Sequence, residues 1–263
     1  MSNALLRVSG FQVTIAGAGP RRVVADVQFH IDRDETVILL GESGSGKTLL
    51  SRAITGLVGN RQGISVSGEV HFEGQPLLTL DEEKMRAIRR RKIRYVFQDP
   101  MQALNPLATV RTQMTLASPV SVNDVTLVQH LAAVRIPRGE EVLPLYPHQL
   151  SVGMAQRILV AMAVMPSPAL LIADEPTSAL DASLRFQVLD LIQSVRTLHH
   201  MSVLLITHDL TIALKYGHRI LILHDGRIVE SATTEEFRRS PQHEYSKLLL
   251  ARHMAVISAR TLA

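Results

Sequence analysis

The sequence predicts an α/β fold: a parallel sheet covered by helices, with an N-terminal antiparallel β segment and an inserted helical segment. Three observations predict it. The short runs "TVILL" (36–40), "ALLIAD" (169–174) and "SVLLIT" (202–207) are continuously apolar, as strands buried on both faces are. Helical patterns over 47–57 and 182–198 alternate with such runs, the order that a parallel sheet requires. From about 100 to 165 the buried-strand runs stop, and Leu, Ala and Met recur at helical spacing between prolines.

Taken in order, "LLRVSGFQVTI" (5–15) and "VVADVQFHI" (23–31) alternate apolar and polar residues across a Gly/Pro/Arg turn, which predicts an antiparallel hairpin. The basic run "KMRAIRRRKIR" (84–94) reads as a solvated helix leading into a buried strand, with no nucleic-acid partner. Residues 99–165 form the expected helical subdomain, broken into short helices and a loop at Pro137, Pro144 and Pro147. Met101, Met114 and Met154 belong to core packing there, not to a metal site. "RILILHDG" (219–226) is a last strand ending in a turn. The expected organisation is one domain, 1–263, in which 1–98 and 166–263 make the sheet core with its β segment.

Composition sets the outer limits. With 46% apolar and 20% charged residues the chain has the balance of a folded protein. It has no cysteine, which excludes disulfides, Cys-ligated zinc and Cys-ligated iron–sulfur clusters. The opening "MSNALLRVSG" lacks a basic region followed by an apolar core and does not read as a secretory signal. The longest apolar run, "ILVAMAVM" (158–165), is far shorter than the ~20 residues that span a bilayer. Any membrane role is therefore expected to be peripheral, through a partner.

The strongest motif is "GESGSGKT", Gly41 to Thr48, directly after the run 36–40 and before a helical pattern. Strand, glycine-rich loop and helix in that order make a phosphate-binding P-loop. Gly41, Gly44 and Gly46 let the backbone wrap closely around phosphate. The N–H groups of Glu42, Ser43, Ser45 and the loop glycines, continued by Leu49, form an anion nest at a helix N-terminus. Lys47 brings a cation to the terminal phosphates, and the Thr48 hydroxyl can ligate Mg2+. The fold class is thus that of a P-loop NTPase with a RecA-like parallel sheet core. A nucleotide and Mg2+ are its expected ligands, and the loop alone does not choose between kinase, GTPase, helicase and transporter.

Further candidates lie at strand ends, where parallel sheets place ligands. Asp174 and Glu175 close "ALLIADEP": Asp174 can hold Mg2+, and Glu175 can polarise an attacking water. His208 follows the apolar strand in "LLITHD" and can reach a terminal phosphate, while Gln98 follows another short strand in "YVFQDP". Taken alone, a histidine or a glutamine in such a place is more often structural.

The ordered set, P-loop (41–48), Gln98, "SVGM" (151–154), "LLIADEP" (170–176), "SALD" (178–181) and "THD" (207–209), resembles the ATP-binding cassette (ABC) transporter family over nearly the whole chain. The resemblance implies an ATPase, with ATP and Mg2+ as its ligands. Lys47, Glu175 and His208 are implied to be catalytic, with Thr48, Gln98 and Asp174 around Mg2+. Ser178 and Asp181 fall in the D-loop. Ser151, Val152, Gly153 and Met154 form the signature, which acts on the ATP of a second, identical or homologous cassette. Closure of the two cassettes on ATP is implied to drive two transmembrane permease subunits, and indirectly a solute-binding protein, at the cytoplasmic face of a bacterial inner membrane. The segment "QDPMQALNPLATV" is implied to line the groove for a permease. "LYPHQLSVGMAQR" and "SPQHEYSKLLL" are similar to the peptide and nickel importers. Many peptide-type members continue into a Cys-rich tail; this chain ends at 263 without cysteine, which points to the nickel or metal-chelate end of the group. The alternative is an ATP-binding subunit of a soluble carbon–phosphorus lyase-type complex.

Three residues depart from the family pattern. Ile15 stands where many cassettes stack an aromatic ring on adenine, which implies either weaker stacking or adequate apolar contact. Glu244 replaces a proline in the C-terminal "P-x-H-P-Y-T". Val152 replaces a signature glycine. A β-branched residue disfavours positive φ, so the composite site is impaired if that φ is needed, and unaffected if the position is helical with its side chain turned away.

Overall fold

The computed structural model describes residues 4–17, 19–58 and 63–261. Met1–Asn3 of the opening segment and Ala18 of the first turn lie outside the described residues. The chain forms two compact units, 1–81 with 204–263, and 82–203. The second unit takes in the helices between 99 and 165 and also the strands and helices on either side of them.

The first unit opens with β1 (Ala4–Ile15) and β2 (Arg21–Asp32), paired antiparallel as their alternation predicts. β3 (Thr36–Leu40) follows, buried at all positions, and leads into α1 (Lys47–Ile54). α1 is amphipathic and buries Leu50, Ala53 and Ile54. β4 (Ile64–Phe72) and the short β5 (Gln75–Pro76) complete an antiparallel sheet of order β2-β1-β4-β5. Leu6, Val8, Phe11, Val27, Phe29 and Ile31 form its apolar face.

The second unit begins with α2 (Glu82–Arg91) and β6 (Ile93–Val96). Only Met85 and Ile88 of α2 are buried, so the basic run is indeed a solvated helix feeding a strand. Four short helices follow: α3 (Pro100–Ala103), α4 (Val110–Ala117), α5 (Asp124–Ala133) and α6 (Gly139–Val142). α4 and α5 are N-capped by Thr109 and Asn123. α7 (Val152–Val164) buries residues almost all round, which accounts for the run 158–165 as a core helix. β7 (Leu170–Asp174) pairs with β6 in parallel, and α8 (Ala182–His199) follows.

The chain re-enters the first unit within β8 (Ser202–Thr207), which is buried throughout. α9 (Leu210–Tyr216), β9 (Arg219–His224), β10 (Arg227–Thr233), α10 (Thr234–Arg239) and α11 (Glu244–Thr261) complete the chain. In this unit the strands run β10-β9-β3-β8, with β9 parallel to β3. At the β9–β10 turn only glycine fits. Gly226 has φ +73°, its carbonyl accepts from Ala25 N–H at 2.8 Å, and a Cβ on it would lie 2.2 Å from Val23 O. Glu35 and Arg219 form a largely buried pair at the β2–β3 turn, 2.7 Å apart.

α11 explains the C-terminal motif. The buried Glu230 carboxylate on β10 accepts hydrogen bonds from Gln242 N (2.8 Å) and His243 N (2.9 Å), capping the helix from outside. Glu244 is the first helical residue. Proline is favoured there and an acidic residue suits the helix dipole, so the departure from the family's proline keeps the helix start.

Candidate nucleotide site

The phosphate loop is built between the end of β3 at Leu40 and the start of α1 at Lys47. Gly46 caps α1 with φ 102°, a conformation that a side chain resists. Gly41 is required for a different reason: a Cβ there would lie 2.4 Å from Leu223 O and 2.8 Å from Ser45 Oγ. Lys47 is 5% exposed, and its ammonium donates to the carbonyls of Gly41 (2.8 Å) and Glu42 (2.9 Å). The cation is thus aimed back across its own loop. Ser45 Oγ is buried and makes no hydrogen bond. A buried hydroxyl without a partner is costly, and a phosphate oxygen is an acceptor that fits it. The first turn of α1 carries no acidic residue to compete with an anion.

His208 is exposed in the turn after β8. Its neighbour Asp209 caps α9, accepting from Thr211 N at 2.8 Å, and its own N–H donates to Thr207 Oγ1 at 3.0 Å. The "THD" string therefore holds the histidine at a defined strand-to-helix corner. The Tyr245 ring stacks on His224 with centroids 3.9 Å apart. Burial, then the Glu42 carboxylate, push the Tyr245 phenol above its ordinary pKa. Arg252 Nη1 is 4.0 Å from Glu42 Oε1.

The second unit holds the carboxylates. The β6–β7 register sets Tyr95 opposite Ile172 and Val96 opposite Ala173. Asp174 ends β7, wholly buried, and its Oδ2 accepts from the Tyr95 hydroxyl at 2.8 Å. Glu175 follows with φ 45°. Left-handed backbone at a non-glycine residue stores strain, and such strain collects at functional sites. The Glu175 carbonyl accepts from Ser178 N (3.2 Å) and Ser178 Oγ (3.1 Å), closing the turn after the strand. Gln98 Nε2 donates to Glu175 Oε2 at 3.4 Å. Asp181 caps α8, accepting from Leu184 N at 3.0 Å.

The signature turn has a plain local geometry. Ser151 is the N-cap of α7 and accepts from Met154 N at 3.2 Å. Val152 is the first helical residue, is absent from the positive-φ residues, and is 39% exposed. Gly153 is buried, and a Cβ on it would lie 3.3 Å from Leu184 Cδ1. Val152 thus meets the helical-backbone condition of the unaffected reading, with its side chain exposed. Ile15 ends β1, partly exposed, opposite Arg21 and Ile64.

Within the first unit, then, the structure places Gly41–Leu49 in one strand–loop–helix corner and His208 in another. Within the second, it joins Gln98 to Glu175 and sets Asp174 beside them in sequence, with Ser151–Met154 starting α7. Sequence reading missed Tyr95. The available signal was an aromatic with a hydroxyl in a strand neighbouring "LLIAD", but only the β6–β7 register shows what it faces. The wholly buried Asp174 carboxylate is a hard oxygen donor of the kind that suits Mg2+, which is commonly held by one or two carboxylates with phosphates and water.

Fold and loop together define a P-loop nucleotide-binding ATPase. The ABC transporter family pattern matches residues 24–178, and the chain belongs to that family as an ATP-binding, ATP-hydrolysing cassette. It is 40% identical over 254 residues to the peptidoglycan transport ATP-binding protein YejF of Agrobacterium fabrum, covering 94% of this chain and 46% of that protein. It is 38% identical over 239 residues to the oligopeptide transport ATP-binding protein OppD of Bacillus subtilis, covering 89% of this chain and 67% of that protein. The chain therefore spans about half to two thirds of the length of these curated relatives. Its fold matches the ATP-binding cassette MJ0796, solved as a dimer bound to ADP and phosphate, with TM-score 0.76 and 26% identity over 87% of this chain and 98% of that one.

Proposed function

We propose that the chain energises a peptide importer, binding ATP through Gly41–Leu49 and hydrolysing it with Glu175 as base. The observation that carries the reading is the Lys47 ammonium, buried and held by the loop carbonyls of Gly41 and Glu42. Phosphate oxygens replace those carbonyls as its acceptors. Ser45 and the loop N–H groups receive the remaining oxygens. Glu175, tethered to Gln98, takes the proton from the attacking water. His208 donates to the terminal phosphate from the corner after β8. Thr48, Asp174 and Gln98 are the residues that would hold Mg2+, which neutralises charge on the phosphates.

The cassette works as a dimer, homologous or identical, in which Ser151, Gly153 and the start of α7 meet the ATP of the partner, and Ser178 and Asp181 line the dimer contact. Exposed Leu107, Leu116, Val120 and Val125 in the helical segment form the apolar surface for two permease subunits, and a solute-binding protein delivers substrate. No helix among the described residues is long and apolar enough to cross a membrane, which agrees with a peripheral place at the cytoplasmic face. Relatives named for peptide, dipeptide and oligopeptide transport support peptide over nickel as cargo. They give no support to the carbon–phosphorus lyase alternative.

Glu175→Gln tests the hydrolytic core. The variant should bind ATP with parental affinity and lose turnover by roughly 100-fold or more, the scale of a lost general base. Hydrolysis at the parental rate removes Glu175 from its role. Co-purification with integral-membrane permeases tests the importer, and a soluble lyase assembly in their place refutes it.

A further inference from the structure

We infer that α11 belongs to the nucleotide site: Tyr245 and Arg252 are positioning residues that hold the Glu42 carboxylate, the one acidic group of the loop Gly41–Thr48, toward α11 and off the bound phosphates. The inference rests on the reading of Gly41–Leu49 as the phosphate loop, and all of its residues lie in the first unit.

Charge sets the problem. A carboxylate inside a loop that must hold phosphates repels them unless a cation and a donor draw it off. α11 supplies both. Its start is fixed by the Glu230 carboxylate of β10. Tyr245 and Arg252 fall at the i, i+7 spacing of one helix face. Arg252 Nη1 stands 4.0 Å from Glu42 Oε1, and both side chains are largely exposed. The Tyr245 hydroxyl is buried beside Glu42, outside regular hydrogen-bond geometry but within the field of its carboxylate. Burial and that charge hold the phenol above its ordinary pKa, so it keeps its proton for the carboxylate. The ring is anchored by its stack on His224. His224 follows Leu223, whose carbonyl oxygen would lie 2.4 Å from a Cβ on Gly41. Tyr245 thus braces the strand end that packs on the first loop residue, and its hydroxyl addresses the second. The Glu42 carbonyl accepts from Lys47 Nζ (2.9 Å) and Ser45 N (3.2 Å), so the residue that α11 holds is also one that orients the loop lysine.

The test is ADP affinity by calorimetry in EDTA, on the parent and on a Glu42→Gln background. Tyr245→Phe keeps the ring on His224, Arg252→Gln changes an exposed side chain, and their melting temperatures report the fold. In the parent, Arg252→Gln should weaken ADP binding about two- to fivefold at ~0.05 M salt and by less at ~0.5 M salt, as an exposed ion pair does. Tyr245→Phe should weaken it about two- to tenfold. On the Glu42→Gln background neither substitution should change affinity further, because the charge they hold is gone. Weakening that persists in full on that background, or no weakening in the parent, overturns the inference. Lys47→Ala separates the two layers. If it weakens ADP binding while the α11 substitutions do not, the α11 inference alone fails. If Lys47→Ala leaves ADP affinity intact, the phosphate-loop reading fails and the inference with it.

Discussion

The phosphate loop and the signature turn are both glycine-bearing corners that feed a helix, yet they are built on opposite principles. The phosphate loop closes on itself. Gly46 is left-handed, Gly41 has no room for a Cβ beside Leu223 O, and Lys47 is bonded to the loop's own carbonyls. The signature turn is an ordinary serine-capped helix start, with Val152 helical and outward and only Gly153 packed, against Leu184. A loop that must wrap an anion constrains backbone angles at several positions. A turn that offers only a helix end constrains the cap and one contact. The valine that looks out of place in the signature is therefore at the position with the most freedom.

The largest effect that separates the two corners is expected at Lys47. Lys47→Ala removes the one charged donor of the loop, and ATP affinity measured by equilibrium binding should fall roughly 10–150-fold, the value of hydrogen bonds to a charged group. Unchanged affinity contradicts the loop assignment. A stability control in the same unit comes next. Burial alone would raise the pKa of Glu35, but the Arg219 hydrogen bonds, the Asp32 N–H and the Arg219 charge hold it below the ordinary glutamate value. Because the folded pKa lies below the unfolded one, this contribution is present above about pH 4.3 and is lost as pH falls through the lowered folded value. Glu35→Gln should cost about 1–3 kcal/mol at pH 7 by denaturant titration. The gap from the parent should close in acid, and ATP affinity should be unchanged. A gap that stays constant as the carboxyl is protonated in acid contradicts the assignment. The smallest effect is expected at Val152→Gly, where turnover by the assembled cassette should stay within about twofold, as for exposed positions generally. A large gain in turnover would show that the valine burdens the composite site and would break the comparison.

Much of the fold was legible because its signals are local. The largely apolar runs 36–40, 170–174 and 202–207 read as buried strands beside helical patterns, and they are. Glycines in strand–loop–helix context mark a phosphate loop without any knowledge of neighbours. The limits of legibility are equally physical. The division of the chain at 81/82 and 203/204 depends on which elements pack together, and no composition change marks it. Glu244 looked like a defect in a motif until α11 placed it at a first helical position, where proline and glutamate are both welcome.

By itself the sequence determined the family, the phosphate loop, the strand-end carboxylates and the order of the elements, because each is written in contiguous residues whose chemistry and spacing carry the meaning. Only the tertiary structure decided that Val152 is helical and outward, that Glu230 caps α11 from another strand, and that Tyr95 stands behind Asp174. The last depends on register between strands that joins residues 79 apart in sequence, and one residue of slip in the β6–β7 ladder would turn the tyrosine to the opposite face.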